Sequence, residues 1–156
     1  MARYATTRNI YSNIHTNQEV RQAQKSGDCL FNSTAGAAAV DLFVEEFPAT
    51  RSWKQRAAYV YHSIPYSRKS AAAVRLALLA LSDRSRFVRH RACMLLACSL
   101  DKTSLSKLRE CTNHPDSRTR ADVAAAIDAI ECGNHNYFVD RDHSGMITLR
   151  FSSDVA

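Results

Sequence analysis

The feature that most constrains this 156-residue chain is its self-similarity. "WKQRA" at 53–57 aligns with "VRHRA" at 88–92, 35 residues on, and more weakly with "TRADV" at 119–123, a further 31 residues on. A period of that length marks a supersecondary unit that stacks on copies of itself. Apolar periodicity and punctuation predict helices over 33–47, 51–64, 67–83, 84–100, 104–111 and 115–132. Pro48 and Pro65 stop the first two, Ser67 is a plausible N-cap of the third, Asp83 caps the fourth, and Gly133 ends the sixth. Each matched helix follows a partner helix and a short turn, so the unit is an antiparallel helix pair. "AAAVRLALLAL" is apolar on nearly all sides, as expected of a helix clasped between neighbours.

The run "LSDRSRFVRHRACMLLACSL" resembles a HEAT repeat, whose second helix opens with an Asp, then a Val-Arg pair, then an Ala. Here those are Asp83, Val88, Arg89 and Ala92. "HPDSRTRADVAAAIDAI" is similar through Asp116 and Arg120, with Thr119 where Val is usual. The resemblance spans roughly 33–131. It implies an all-α fold, a short α-solenoid of about three HEAT-like helix pairs. For Asp83, Arg89, Asp116 and Arg120 it leaves two roles open: an Asp–Arg ladder joining adjacent repeats, or binding. Around the 33–133 repeat domain lie a polar N-terminal segment, 1–32, with room for one short helix, and a distinct C-terminal segment, 134–156.

That last segment contains "VDRDHSGMITLRF". Asp140, Asp142, Ser144 and Gly145 match the start of an EF-hand calcium loop, but position twelve is Phe151 where a bidentate Glu is needed, and no helix can follow. Ile147 and Leu149 alternate with Thr148 and Arg150, which predicts a β-hairpin capping the open end of the stack. "NHNYFVDRDHSGMITL" also looks like the tail of small bacterial HEAT-like proteins.

Charge is unevenly placed. Between 48 and 91, ten basic residues face only Asp83, a local net of +9 within a chain of formal charge +6. Such a block suggests an anionic partner or a plain solvated face. Five cysteines, odd in number and without CxxC spacing, fit reduced thiols in a cytoplasmic protein rather than disulfides or zinc. No metal site and no cofactor is expected. The longest apolar run is too short to cross a bilayer, so no membrane association is expected.

One enzymatic alternative comes from "GDCLFNSTAGAAA", which resembles the nucleophile motif of ovarian-tumour-type cysteine peptidases through Asp28, Cys29, Leu30 and Phe31. The resemblance implies Cys29 as nucleophile. His135, or His143 with Asp140 or Asp142, would be its partner. Helical repeats fill the interval where those peptidases carry a central sheet.

The leading expectation is a non-enzymatic binding protein. Arg51, Lys54 and Arg56 open one matched helix, Arg84, Arg86, Arg89 and Arg91 the next, and Arg118 and Arg120 the third. Cations at a helix N-terminus oppose the macrodipole, so three such clusters suggest an anion-binding edge. In that alignment Arg56 matches Arg91 and Lys54 matches Arg89. The edge would dock an acidic protein partner, as a toxin-neutralising immunity protein or an adaptor does. The alternative is nucleic-acid binding, with Trp53, Tyr59, Tyr61, Tyr66 and Phe87 as the available aromatics.

Overall fold

The computed structural model describes residues 34–150. Six α-helices follow in order: α1 (Thr34–Glu46), α2 (Trp53–Ser63), α3 (Ala71–Ala80), α4 (Arg86–Ser99), α5 (Leu105–Glu110) and α6 (Ser117–Glu131). Short 3-10 turns follow α1 and α2, precede α5 and, at His135–Phe138, follow α6. The fold is all-α, and no strand occurs among the described residues. The polar segment 1–32 lies outside them.

The helices form two layers. α2, α4 and α6 pack side by side, α4 in the middle. α1 packs on α3, and α3 also lies against α2 and α4, while α5 covers α6. The clasped helix is α3: Ala73, Leu76, Ala77 and Ala80 are wholly buried, and only the strip bearing Arg75 and Leu79 faces outward. Small side chains let three neighbours approach at once, and Leu76, Leu95, Leu96 and Val60 fill the space between layers.

Local chemistry sets the helix ends. Ser52 accepts the Gln55 amide at the start of α2, and Asp116 accepts the Arg118 amide at the start of α6. α3 begins after Ser70; the expected cap Ser67 is buried in the preceding turn. α4 begins after Ser85, and Asp83, expected as its cap, instead accepts the Ser85 amide at 2.8 Å. At the end of α6, Gly133 has φ +65. There the Asn134 and Gly133 amides bond back to the Ala129 and Ile130 carbonyls at 2.9 and 3.2 Å, a Schellman closure.

The spacing of the N-caps Ser52, Ser85 and Asp116 is 33 and then 31 residues. It pairs Arg56 with Arg89 and Arg120, which corrects the match of Arg56 with Arg91 and of Lys54 with Arg89. Each of the three arginines turns one nitrogen to the loop before its own helix. Arg56 donates to the Thr50 and Arg51 carbonyls, Arg89 to Asp83, and Arg120 to His114 and Pro115. The other edge of Arg56 grips both oxygens of Asp83, 27 residues on, at 2.5 and 3.0 Å. Arg89 reaches Asp116, also 27 residues on, at 3.0 Å, and gives its Nε to the Thr119 hydroxyl at 2.9 Å. Thr119 in turn bonds Asp116 at 2.8 Å, so its hydroxyl completes the second rung. Arg56 and Arg89 are each only 6% exposed. They are structural ladder residues, which removes two members from the expected binding edge.

The expected C-terminal β-hairpin is absent from 134–150. The Asp140 carboxylate turns inward and accepts the Ser144 and Gly145 amides and the Ser144 hydroxyl. Side chains rather than a strand partner satisfy Leu149: its amide donates to Asn136 at 2.9 Å and its carbonyl meets His135 Nε2 at 3.0 Å. Arg141 and His143 pin the segment to Asp122 and Asp128 of α6 at 2.7 and 2.6 Å. Alternation alone therefore misled, because side chains of the preceding turn, Asn136 as acceptor and His135 as donor, took the Leu149 hydrogen bonds a second strand would have used. Phe151 lies outside the described residues.

Removing the carboxylate at Asp83→Ala strands a buried guanidinium and should cost about 3–5 kcal/mol in urea unfolding. Acid should act on the same rungs. Burial alone would raise the Asp83 carboxyl, but the Arg56 pair and the Ser85 amide outweigh it and hold it below 3.8. The Thr119 hydroxyl, helped by the Arg118 amide and Arg89, holds Asp116 at about 2. A depressed carboxyl contributes stability above its unfolded value and loses it as pH falls through its folded one. Melting temperature should thus hold from pH 7 to about 5, then fall between about pH 4 and 2. Asp116→Asn should flatten that fall.

Candidate basic and aromatic face

With two arginines committed to the ladder, the remaining cations divide. Arg91 is half-buried: it donates to the Ala57 carbonyl at 2.9 Å and lies 5.0 Å from the Tyr61 ring centroid, joining α4 to α2. Burial pulls its guanidinium pKa down from the usual value. Burial, with Arg91 nearby, keeps the His62 imidazole below its ordinary range. Arg120 is exposed but tied to its own loop. Arg51, Lys54, Arg84, Arg86 and Arg118 are exposed and make no salt bridge among the described residues.

The aromatics divide as well. Tyr59 is buried against Phe43, with ring centroids 4.7 Å apart, and Tyr66 is buried too. Trp53, Tyr61 and Phe87 are exposed, Trp53 by 41% and Phe87 by 48%. Trp53 opens α2 and Phe87 lies one residue into α4, and the two rings stack across the groove at 5.1 Å and 21°. The Arg86 guanidinium lies 4.4 Å from the Phe87 centroid and Lys54 lies 5.9 Å from that of Trp53. Two large rings held at the surface under cations make an amphipathic contact patch, of the kind that anchors protein interfaces.

The sequence brought Trp53 and Phe87 forward only as separate aromatics. The 35-residue alignment placed Trp53 against Val88 and hid the pairing. Counting instead from the small polar caps Ser52 and Ser85 puts Trp53 and Phe87 at adjacent first-turn positions of neighbouring helices, where side chains meet.

Beside the stack, α4 and α6 leave a cleft of about 310 Å³ lined by Arg86, Phe87, His90, Arg118, Thr119 and Asp122. Asp122 lines it, accepting from His90 at 2.8 Å and Arg141 at 2.7 Å. Burial would raise the Asp122 carboxyl, but these two partners hold it below its usual value.

Cys29 lies outside the described residues. His135 uses both ring nitrogens, Nδ1 facing Arg68 Nη2 at 3.0 Å and Nε2 the Leu149 carbonyl. Its evident work is to tie the C-terminal segment to the turn before α3. Burial raises the thiol pKa of Cys93 and Cys111, the reverse of what a nucleophile needs. Among the described residues no three His, Cys, Asp or Glu side chains gather as metal ligands, and no helix is long and apolar enough to cross a membrane.

The stack should hold α2 against α4 as well as present a surface. A double-mutant cycle on Trp53→Ala and Phe87→Ala, read by urea unfolding, should give a coupling of about 0.5–1.5 kcal/mol. Zero coupling would mean that the rings are merely adjacent.

No protein-family model, no curated protein and no solved structure matches this chain.

Proposed function

We propose that the chain is a non-enzymatic binding protein, a cytoplasmic HEAT-like solenoid of three helix pairs whose basic and aromatic face docks an acidic surface of another protein. The observation that carries this reading is the exposed Trp53–Phe87 stack with Lys54, Arg86 and Arg118 beside it, none of which has a salt-bridge partner among the described residues. An aromatic centre with an arginine rim is the usual composition of a protein-binding hot spot. The repeated helix starts and the two Arg–Asp rungs support the solenoid reading. A toxin-neutralising immunity protein or an adaptor fits such a small, single-purpose surface, by fold-level analogy.

Nucleic-acid binding is the second reading, favoured by the recurrence of exposed cations at three neighbouring helix starts: Arg51 and Lys54, Arg84 and Arg86, and Arg118. Against it, a base-stacking platform needs an open ring face. Here Phe87 already has Trp53 stacked on it and Arg86 over it. The cysteine-peptidase reading through Cys29 draws no support from His135, whose ring is spent on the tail.

Affinity capture from the native host, after nuclease treatment, tests the reading. A defined acidic protein should be retained by the unaltered chain and lost with Lys54→Glu plus Phe87→Ala, while the melting temperature of that variant moves by only a few degrees. Normal melting with undiminished capture removes this face from consideration. Binding to random DNA that collapses steeply with salt, with no protein retained, would favour the second reading.

A further inference from the structure

The two grooves of the α2–α4–α6 layer are built on one plan. In the first, the side chain at the first position of α2, Trp53, meets the one at the second position of α4, Phe87, and the stacked rings close the groove. In the second groove the same two positions are Arg86 and Arg118. Two guanidiniums cannot close a groove as two rings do. Both line the 310 Å³ cleft that the helices leave there. Neither has a salt bridge among the described residues. The acidic group nearest to hand, Asp122, is already shared between His90 and Arg141. Asp116 is likewise taken by Arg89 and Thr119. Like charges set on facing positions of one cleft, with every neighbouring carboxylate engaged elsewhere, leave a place for an incoming anion.

We infer that the α4–α6 cleft is an oxyanion-binding site in which Arg86 and Arg118 clamp one carboxylate, supplied by an acidic side chain of the partner protein. This rests on the binding role proposed above and adds the group that is recognised and the place where it sits. Planar guanidiniums suit a carboxylate because each offers paired donors. In the neighbouring groove the same two helix positions carry two stacked aromatic rings in place of two arginines.

The probes are an acetylated octaglutamate peptide and inorganic phosphate, each titrated at constant physiological ionic strength into the full chain. The readouts are the Nε–H resonances of Arg86 and Arg118 and the indole N–H of Trp53. The peptide should move both arginine resonances along a single binding curve. Arg86→Ala and Arg118→Ala should each weaken it by about five- to tenfold. The double variant should be little worse than either single one, because both residues hold the same group. Arg75→Ala, an exposed arginine of α3 paired with Asp41, should change nothing.

A second variant runs the comparison in reverse. Arg86→Trp with Arg118→Phe installs the rings of the first groove in the second, and should raise the melting temperature while abolishing the arginine-dependent part of peptide binding. If the peptide moves the Trp53 indole but neither arginine, the clamp is overturned and the face-binding reading survives. If phosphate moves both arginines and the peptide neither, the oxyanion site stands and its supply by an acidic side chain is overturned. If neither probe moves them, or the ring-bearing variant binds the peptide as before, the inference fails outright.

Discussion

The buried pair of Arg56 and Asp83 is the contact on which the rest of the architecture depends. It joins the start of α2 to the loop before α4, and Arg89 repeats it toward α6 through Asp116 and Thr119. A buried ion pair is a poor source of net stability, since desolvation offsets most of its Coulomb energy. Its value lies in specificity. The fork of each arginine fits only when the carboxylate 27 residues on is in place and the loop carbonyls of its own helix face it. A slip of one residue in helix stacking would bury an unpaired guanidinium. The apolar layer of Ala, Leu and Val is tolerant of such slips, and the ladder is not.

The ladder also explains how the chain places so many cations at helix starts. Burial turns Arg56 and Arg89 inward, and carbonyl oxygens of the preceding loops neutralise part of their charge. The outward cations sit on the first turn itself, at Lys54, Arg86 and Arg118, where no salt bridge among the described residues offsets them. Within a few residues the same helix start therefore serves both purposes. The fourth position of α2 and of α4 locks the stack through Arg56 and Arg89, and the first two positions of those helices are exposed.

The two grooves between the three helices diverge at those first two positions. Stacked aromatic rings bridge one, and two arginines line the other.

The sequence by itself determined the helices and their order, because the apolar period, the prolines and the small polar caps act over distances of a few residues. It carried the arginines and aspartates of the ladder as well, with the ladder and the binding edge as open alternatives. Only the tertiary structure decided between them, since Arg56 and Arg91 differ by burial and partner and not by chemistry. It brought Trp53 onto Phe87 and set Arg86 and Arg118 along one cleft. It also replaced the expected hairpin with a pinned loop. A strand needs a partner for its backbone, and residues 139–150 found theirs in the side chains of Asn136, His135 and Asp140. Those outcomes depend on contacts between residues far apart in the chain, where local propensity is silent and packing chooses.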